Sequence, residues 1–159
     1  MAVFRYKMKN VLDVKLKMED QAKAQFAEAM AALNEQEQIL EHLIKRKEDY
    51  EEEGRRMRAD ALNVADMRDN TRAIDNLKDQ IEEQKKNVAK AQAVVDKARD
   101  DLAEAMKERK IQEKLRDNAF EEFVHEQNAA ESKEIDELVS YRHGQKIKTV
   151  KERQIHGGI

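Results

Sequence analysis

The chain lacks cysteine, tryptophan and proline and has only four glycines in 159 residues. Without cysteine there are no disulfides and no thiolate chemistry. Without proline, helices run uninterrupted. Aromatics make up only 4%. No apolar run approaches the roughly 20 residues of a membrane span. The start, Met1 to Lys7, has no apolar signal-peptide core. A cytoplasmic location is therefore the expectation. Basic and acidic residues, 31 and 34, are interspersed to a net charge of −3. That balance does not resemble a nucleic-acid binder.

What the chain does have is charge, 41% of residues, and a helical apolar period. In the first half, apolar residues step by threes and fours through Met8, Leu12, Ala22, Phe26, Ala29, Leu33, Leu40, Leu43, Tyr50 and Met57. In the second half the same rhythm passes through Ile74, Leu77, Ile81, Val88, Ala91, Val95, Ala98, Leu102, Ala105, Ala119 and Phe123. This is the spacing of a coiled-coil seam.

Folding the chain near residue 65 sets Tyr50 opposite Ile81, Leu43 opposite Val88, Leu33 opposite Ala98 and Met8 opposite Phe123. Each pair of numbers sums to 131. Large residues meet small ones in most layers, which keeps the helix spacing constant. The expected fold is all-α: a long two-helix antiparallel coiled-coil hairpin with a C-terminal helix overhang. An antiparallel dimer of straight helices fits the same pattern. A hairpin of this kind buries one stripe and encloses no substrate cavity.

Helix one is expected over about 4–62, the turn over about 63–71 and helix two over about 71–142. Asn63, Asp66, Asp69, Asn70 and Thr71 supply capping chemistry to the turn. Gly54 falls at a seam position opposite Leu77. The seam blurs between Met106 and Leu115, where Arg109 and Gln112 point inward opposite Ala22 and Glu19. Beyond about residue 128, helix two has no partner. Yet Ile135, Leu138 and Tyr141 continue an apolar stripe there. An unpaired amphipathic helix cannot bury its own stripe, which points to a protein partner. Gly144 is the expected helix end, followed by a basic, flexible tail over 144–159.

Catalytic constellations do not emerge. His42, His125, His143 and His156 lack helical spacing to one another, and no metal site is expected. No phosphate-binding glycine loop or nucleophile motif occurs. Most methionines lie on or beside the seam, where core filling accounts for them. The chain is therefore expected to be no enzyme and to need no cofactor.

Four segments carry a resemblance: 4–12 at the start, 37–44 with Tyr50 on helix one, Glu108-Arg109-Lys110 on helix two, and Ile135-Asp136-Glu137-Leu138 with Arg142 near the end. In order, spacing and length the chain resembles the flagellar export protein FliJ family, over about residues 4–142. The resemblance implies a noncatalytic two-helix coiled coil, similar to the rotor stalk of rotary ATP synthases. It implies that the helix ends associate with the hexameric flagellar export ATPase. It implies that the hairpin body docks on the cytoplasmic domain of the export-gate protein FlhA, with export chaperones as possible further partners. Contact with the membrane would then be peripheral, through the gate. Carried onto this chain, the implied gate contacts are Leu40, Leu43, Ile44, Tyr50 and Leu77. The implied ATPase contacts are Phe4, Met8, Arg109, Lys110, Ile135 and Leu138. Two other readings compete: a general coiled-coil chaperone and a structural spacer. The tip, Arg55–Asn70, whose large apolar residues are only Met57, Leu62, Val64 and Met67, disfavours the chaperone.

Overall fold

The computed structural model describes residues 2–60 and 63–157. Two helices account for nearly all of them: α1, Lys9–Ala59, and α2, Val64–His156. They form an antiparallel hairpin, and there is no strand among the described residues. Two compact units divide the chain. One is Val14–Arg109; the other is the chain up to Asp13 together with the chain from Lys110 onward.

Within Val14–Arg109 the core is a stripe, as a coiled coil requires. Ala29, Leu33, Val95 and Ala98 form its buried centre, with Phe26, Val88 and Ala91 packed against it. Val95 is fully enclosed. Leu77 and Ile81 continue the stripe toward the turn. Charged side chains line the outer faces, in pairs such as Arg56–Glu52 at 2.9 Å and Lys47–Glu51 at 3.5 Å. Such exposed pairs each contribute only about 0.3–0.5 kcal/mol.

Helix two begins earlier than expected, at Val64 rather than about 71. Asn63 caps α2, its Oδ1 accepting from the backbone N–H groups of Ala65 at 3.1 Å and Asp66 at 3.4 Å. Asp66 adds a carboxylate to the first turn, where the helix dipole favours it. With that cap in place, residues 64–71 are helix rather than turn. Thr71 turns its hydroxyl back onto the Met67 carbonyl, and Asn70 enters the seam. The expected end of helix one at 62 lies outside the described residues.

The register differs as well. Gly54 faces Asn70, not Leu77, so the numbers of facing residues add to 124, one heptad below 131. Tyr50 likewise receives Asn70 rather than Ile81. A heptad seam superimposes on itself after a displacement of seven, so periodicity alone does not choose between the two. The position of the turn chooses.

Both outer ends also move. Helix one begins at Lys9 rather than Phe4; residues 2–6 are irregular, and no acidic side chain stands in the first turn of α1. Helix two does not stop at Gly144 but continues to His156, through the stretch expected as a flexible tail. Gly144 has no positive φ. Gln145 reaches back across it, donating from Nε2 to the Tyr141 hydroxyl at 2.8 Å, and Thr149 bonds to the Gln145 carbonyl at 2.7 Å. A glycine inside a helix costs about 1 kcal/mol relative to alanine, which its helix-forming neighbours can absorb.

Candidate partner-docking surfaces

Three features of Val14–Arg109 interrupt its apolar seam with polar groups. Near the turn, buried Asn70 donates from Nδ2 to the Tyr50 carbonyl at 2.8 Å. In the middle, buried Gln84 donates to the Gln36 carbonyl at 2.9 Å and to Gln36 Oε1 at 2.8 Å. At the far end, Glu19, 3% exposed, pairs with Arg109 across the helices and with Lys23 on its own helix. Lys15 and Glu108 bridge beside it at 2.9 Å. The sequence reading set Arg109 against Ala22 and Glu19 against Gln112. In the observed register Arg109 meets a carboxylate instead, which explains how its charge is accommodated inward.

The residues assigned to the export gate all lie in this unit, but not all reach solvent. Ile44 is 37% exposed, while Leu40, Leu43 and Tyr50 are half-buried. Leu77 is 3% exposed and belongs to the seam, where it supports the hairpin from within. Ile39, 40% exposed, is an apolar neighbour of Leu40 that the implied gate contacts leave out.

The residues assigned to the ATPase divide between the units. Arg109 belongs to Val14–Arg109 and is held by Glu19. Phe4, Met8, Lys110, Ile135 and Leu138 belong to the other unit. There Phe4 packs edge-on against Phe120, with centroids 5.2 Å apart, and tilts over Phe123 at 5.4 Å. Met8 sits beside this cluster and is 47% exposed. Ile135 lies about 18 Å along the helix from Phe123, at about 1.5 Å per residue, so these residues form two patches rather than one.

The second patch is uncovered. Gln127 is the last half-buried residue of α2; from Asn128 through His156 every residue is exposed. Ile135, Leu138, Val139 and Tyr141 are 54–64% exposed. Phe120 and Val124, at 49% and 38%, join them from the N-terminal side. The sequence reading missed those two because they stand off the internal seam. Their i, i+4 spacing is the signal that finds them.

Among the described residues, no cluster of His, Cys, Asp or Glu could hold a metal ion, and no helix is long and apolar enough to cross a membrane.

The family model of the flagellar FliJ protein matches residues 4–148. The chain belongs to the FliJ family. It is thereby a noncatalytic component of flagellar protein export. The match takes in the irregular start, both helices and the exposed part of α2 as far as Lys148. No curated protein and no solved structure shows significant similarity to the chain.

Proposed function

We propose that this chain is an adaptor of the flagellar export apparatus, joining the export ATPase ring to the FlhA gate. The observation that carries the reading is the exposed stripe on α2 past Asn128, where Ile135 and Leu138 stand more than half exposed on a helix with no intramolecular cover. Removing such a stripe from water is the dominant favourable term in most protein–protein association. The ring would take this segment, together with the Phe4 and Met8 patch and the exposed Lys110. Arg109 acts at one remove, by keeping Glu19 paired. The charges around the stripe would speed and orient association, and make it salt-sensitive.

The hairpin body would meet the FlhA cytoplasmic domain through Ile44, with Leu40, Leu43 and Tyr50 at its margin and Leu77 holding the seam of the same unit. A role in escorting export chaperones fits the same exposed helical surfaces. The site of action would be the inner face of the cell membrane at the flagellar base.

The test is ATP hydrolysis by the cognate export ATPase with the full chain and with a chain cut at Asn128, alongside a pull-down. Stimulation and association by the full chain, both lost on truncation, support the adaptor. Undiminished stimulation by the truncated chain removes the exposed end of α2 from the mechanism. Absence of association with the full chain at low salt removes the ATPase as partner.

A further inference from the structure

We propose that residues 120–153 of α2 are a self-association surface that pairs antiparallel with the same segment of a second copy of this chain. Three observations converge on it.

The first is a second seam. Positions 120, 124, 128, 131, 135, 138, 142, 145 and 149 recur at threes and fours, the steps of a coiled-coil stripe. This line is rotated away from the internal seam through Ala119 and Phe123. Its apolar members are exposed: Phe120 at 49%, Val124 at 38%, Ile135 at 59% and Leu138 at 54%.

The second is charge segregation along one helix. Residues 121–137 carry seven carboxylates against the single Lys133; residues 138–153 carry five Lys and Arg against the single Glu152. A parallel pair would set like charges side by side. An antiparallel pair sets the acidic block of each copy against the basic block of the other, which favours this orientation and excludes the parallel one.

The third is two-fold self-complementarity, the requirement of an isologous dimer. With the axis between Asp136 and Glu137, Ile135 of one copy meets Leu138 of the other, twice. Glu131 meets Arg142, twice, on either side of that apolar centre. Asn128 then meets Gln145, and Val124 meets Thr149. At about 100° per residue, Asp136 and Glu137 lie more than a quarter turn from the stripe, so their like charges face away from the axis. The paired segment is roughly 50 Å long.

The pairing stands whether or not an ATPase is the partner. If the adaptor reading holds, self-association covers Ile135 and Leu138, and the two occupants exclude each other.

Sedimentation equilibrium of the purified chain tests it, with Glu131→Arg and Arg142→Glu. All three proteins should keep full helicity by circular dichroism, since both side chains are exposed. The unaltered chain should show a monomer–dimer equilibrium that weakens with salt. Each variant alone replaces two attractive pairs by two repulsive ones and should associate at least about tenfold more weakly. An equimolar mixture of the two variants restores both pairs and should recover the dimer. A chain that stays monomeric at low salt, or a mixture no better than its components, overturns the proposal. Orientation has its own readout, because the chain has no native cysteine. A mixture of Ile135→Cys and Leu138→Cys chains should oxidise to the mixed disulfide. Preferential Ile135→Cys homodimers would mean a parallel pair and overturn the antiparallel one.

Discussion

Asn70 stands where a side chain on Gly54 would have to be. A Cβ added to Gly54 lies 2.6 Å from Asn70 Oδ1, while Asn70 Nδ2 donates to the Tyr50 carbonyl at 2.8 Å. Both residues are buried, so the amide has little room to turn. Glycine here admits an asparagine from the facing helix, and the asparagine ties the start of α2 to the Tyr50 carbonyl of α1. In exposed helix, Gly→Ala stabilises by about 1 kcal/mol. Here Gly54→Ala should instead destabilise, by about 1–2 kcal/mol, because the buried amide loses its partner. Urea denaturation of Gly54→Ala, Asn70→Ala and the double variant checks this. In the double variant, alanine at 54 should cost nothing or stabilise. Equal costs of Gly54→Ala in both backgrounds would sink the explanation.

That contact also shows where sequence reading stops. The seam was legible: Leu12, Ala22, Ala29, Leu33, Leu77, Ile81, Val95 and Ala98 were all expected inward, and all are buried. Heptad spacing specifies a face. It does not specify which heptad meets which, because displacement by seven preserves apolar-on-apolar contact. The register instead resides in the Asn63 cap, which starts α2, and in Asn70, Gln84 and Glu19, whose polar groups find partners in this alignment. Asn70 read as turn chemistry because its preference for caps and turns is real; tertiary burial overrode it. The continuation past Gly144 was missed for a related reason. A glycine signals a helix end only when it adopts positive φ, and this one does not. The exposed stripe at Ile135 and Leu138, by contrast, was visible from periodicity alone.

The Glu19–Arg109 pair should be strongly asymmetric under mutation. Glu19 is 3% exposed, and Arg109 meets it across the seam. Arg109→Ala strands a buried carboxylate, with Lys23 at 3.5 Å as partial relief. A loss of about 2–4 kcal/mol is expected. Replacing both by leucine removes the desolvation cost along with the attraction, and should leave stability within about 1 kcal/mol of the parent or above it. Denaturant midpoints decide. A double variant as unstable as Arg109→Ala would show that the pair itself holds the hairpin.

Phe4 anchors an irregular segment through rings rather than through backbone bonds. Its contacts with Phe120 and Phe123 are each worth about 0.5–1.5 kcal/mol beyond simple burial. Phe4→Ala should release residues 2–8 from α2 while leaving Val14–Arg109 unchanged. Hydrogen exchange reads this directly: faster exchange confined to the N-terminal residues and to the region around 119–123. Faster exchange throughout Val14–Arg109 would contradict it.

Ile44 and Leu77 separate contact from support at the proposed FlhA surface. Ile44 is 37% exposed and Leu77 is 3% exposed, although the family resemblance points to both. Leu77→Ala opens a cavity in the seam and should cost about 2–4 kcal/mol in stability. Its effect on FlhA binding should then follow the unfolded fraction and vanish at low temperature, where the hairpin refolds. Ile44→Asp changes a side chain that already meets water, so stability should move by about 0.5 kcal/mol or less. If Ile44 enters the interface, placing a carboxylate there should weaken binding at least about tenfold at every temperature. Calorimetric titration of both variants against the FlhA cytoplasmic domain distinguishes the roles. Full affinity in folded Ile44→Asp would move the gate contact to another face of the hairpin.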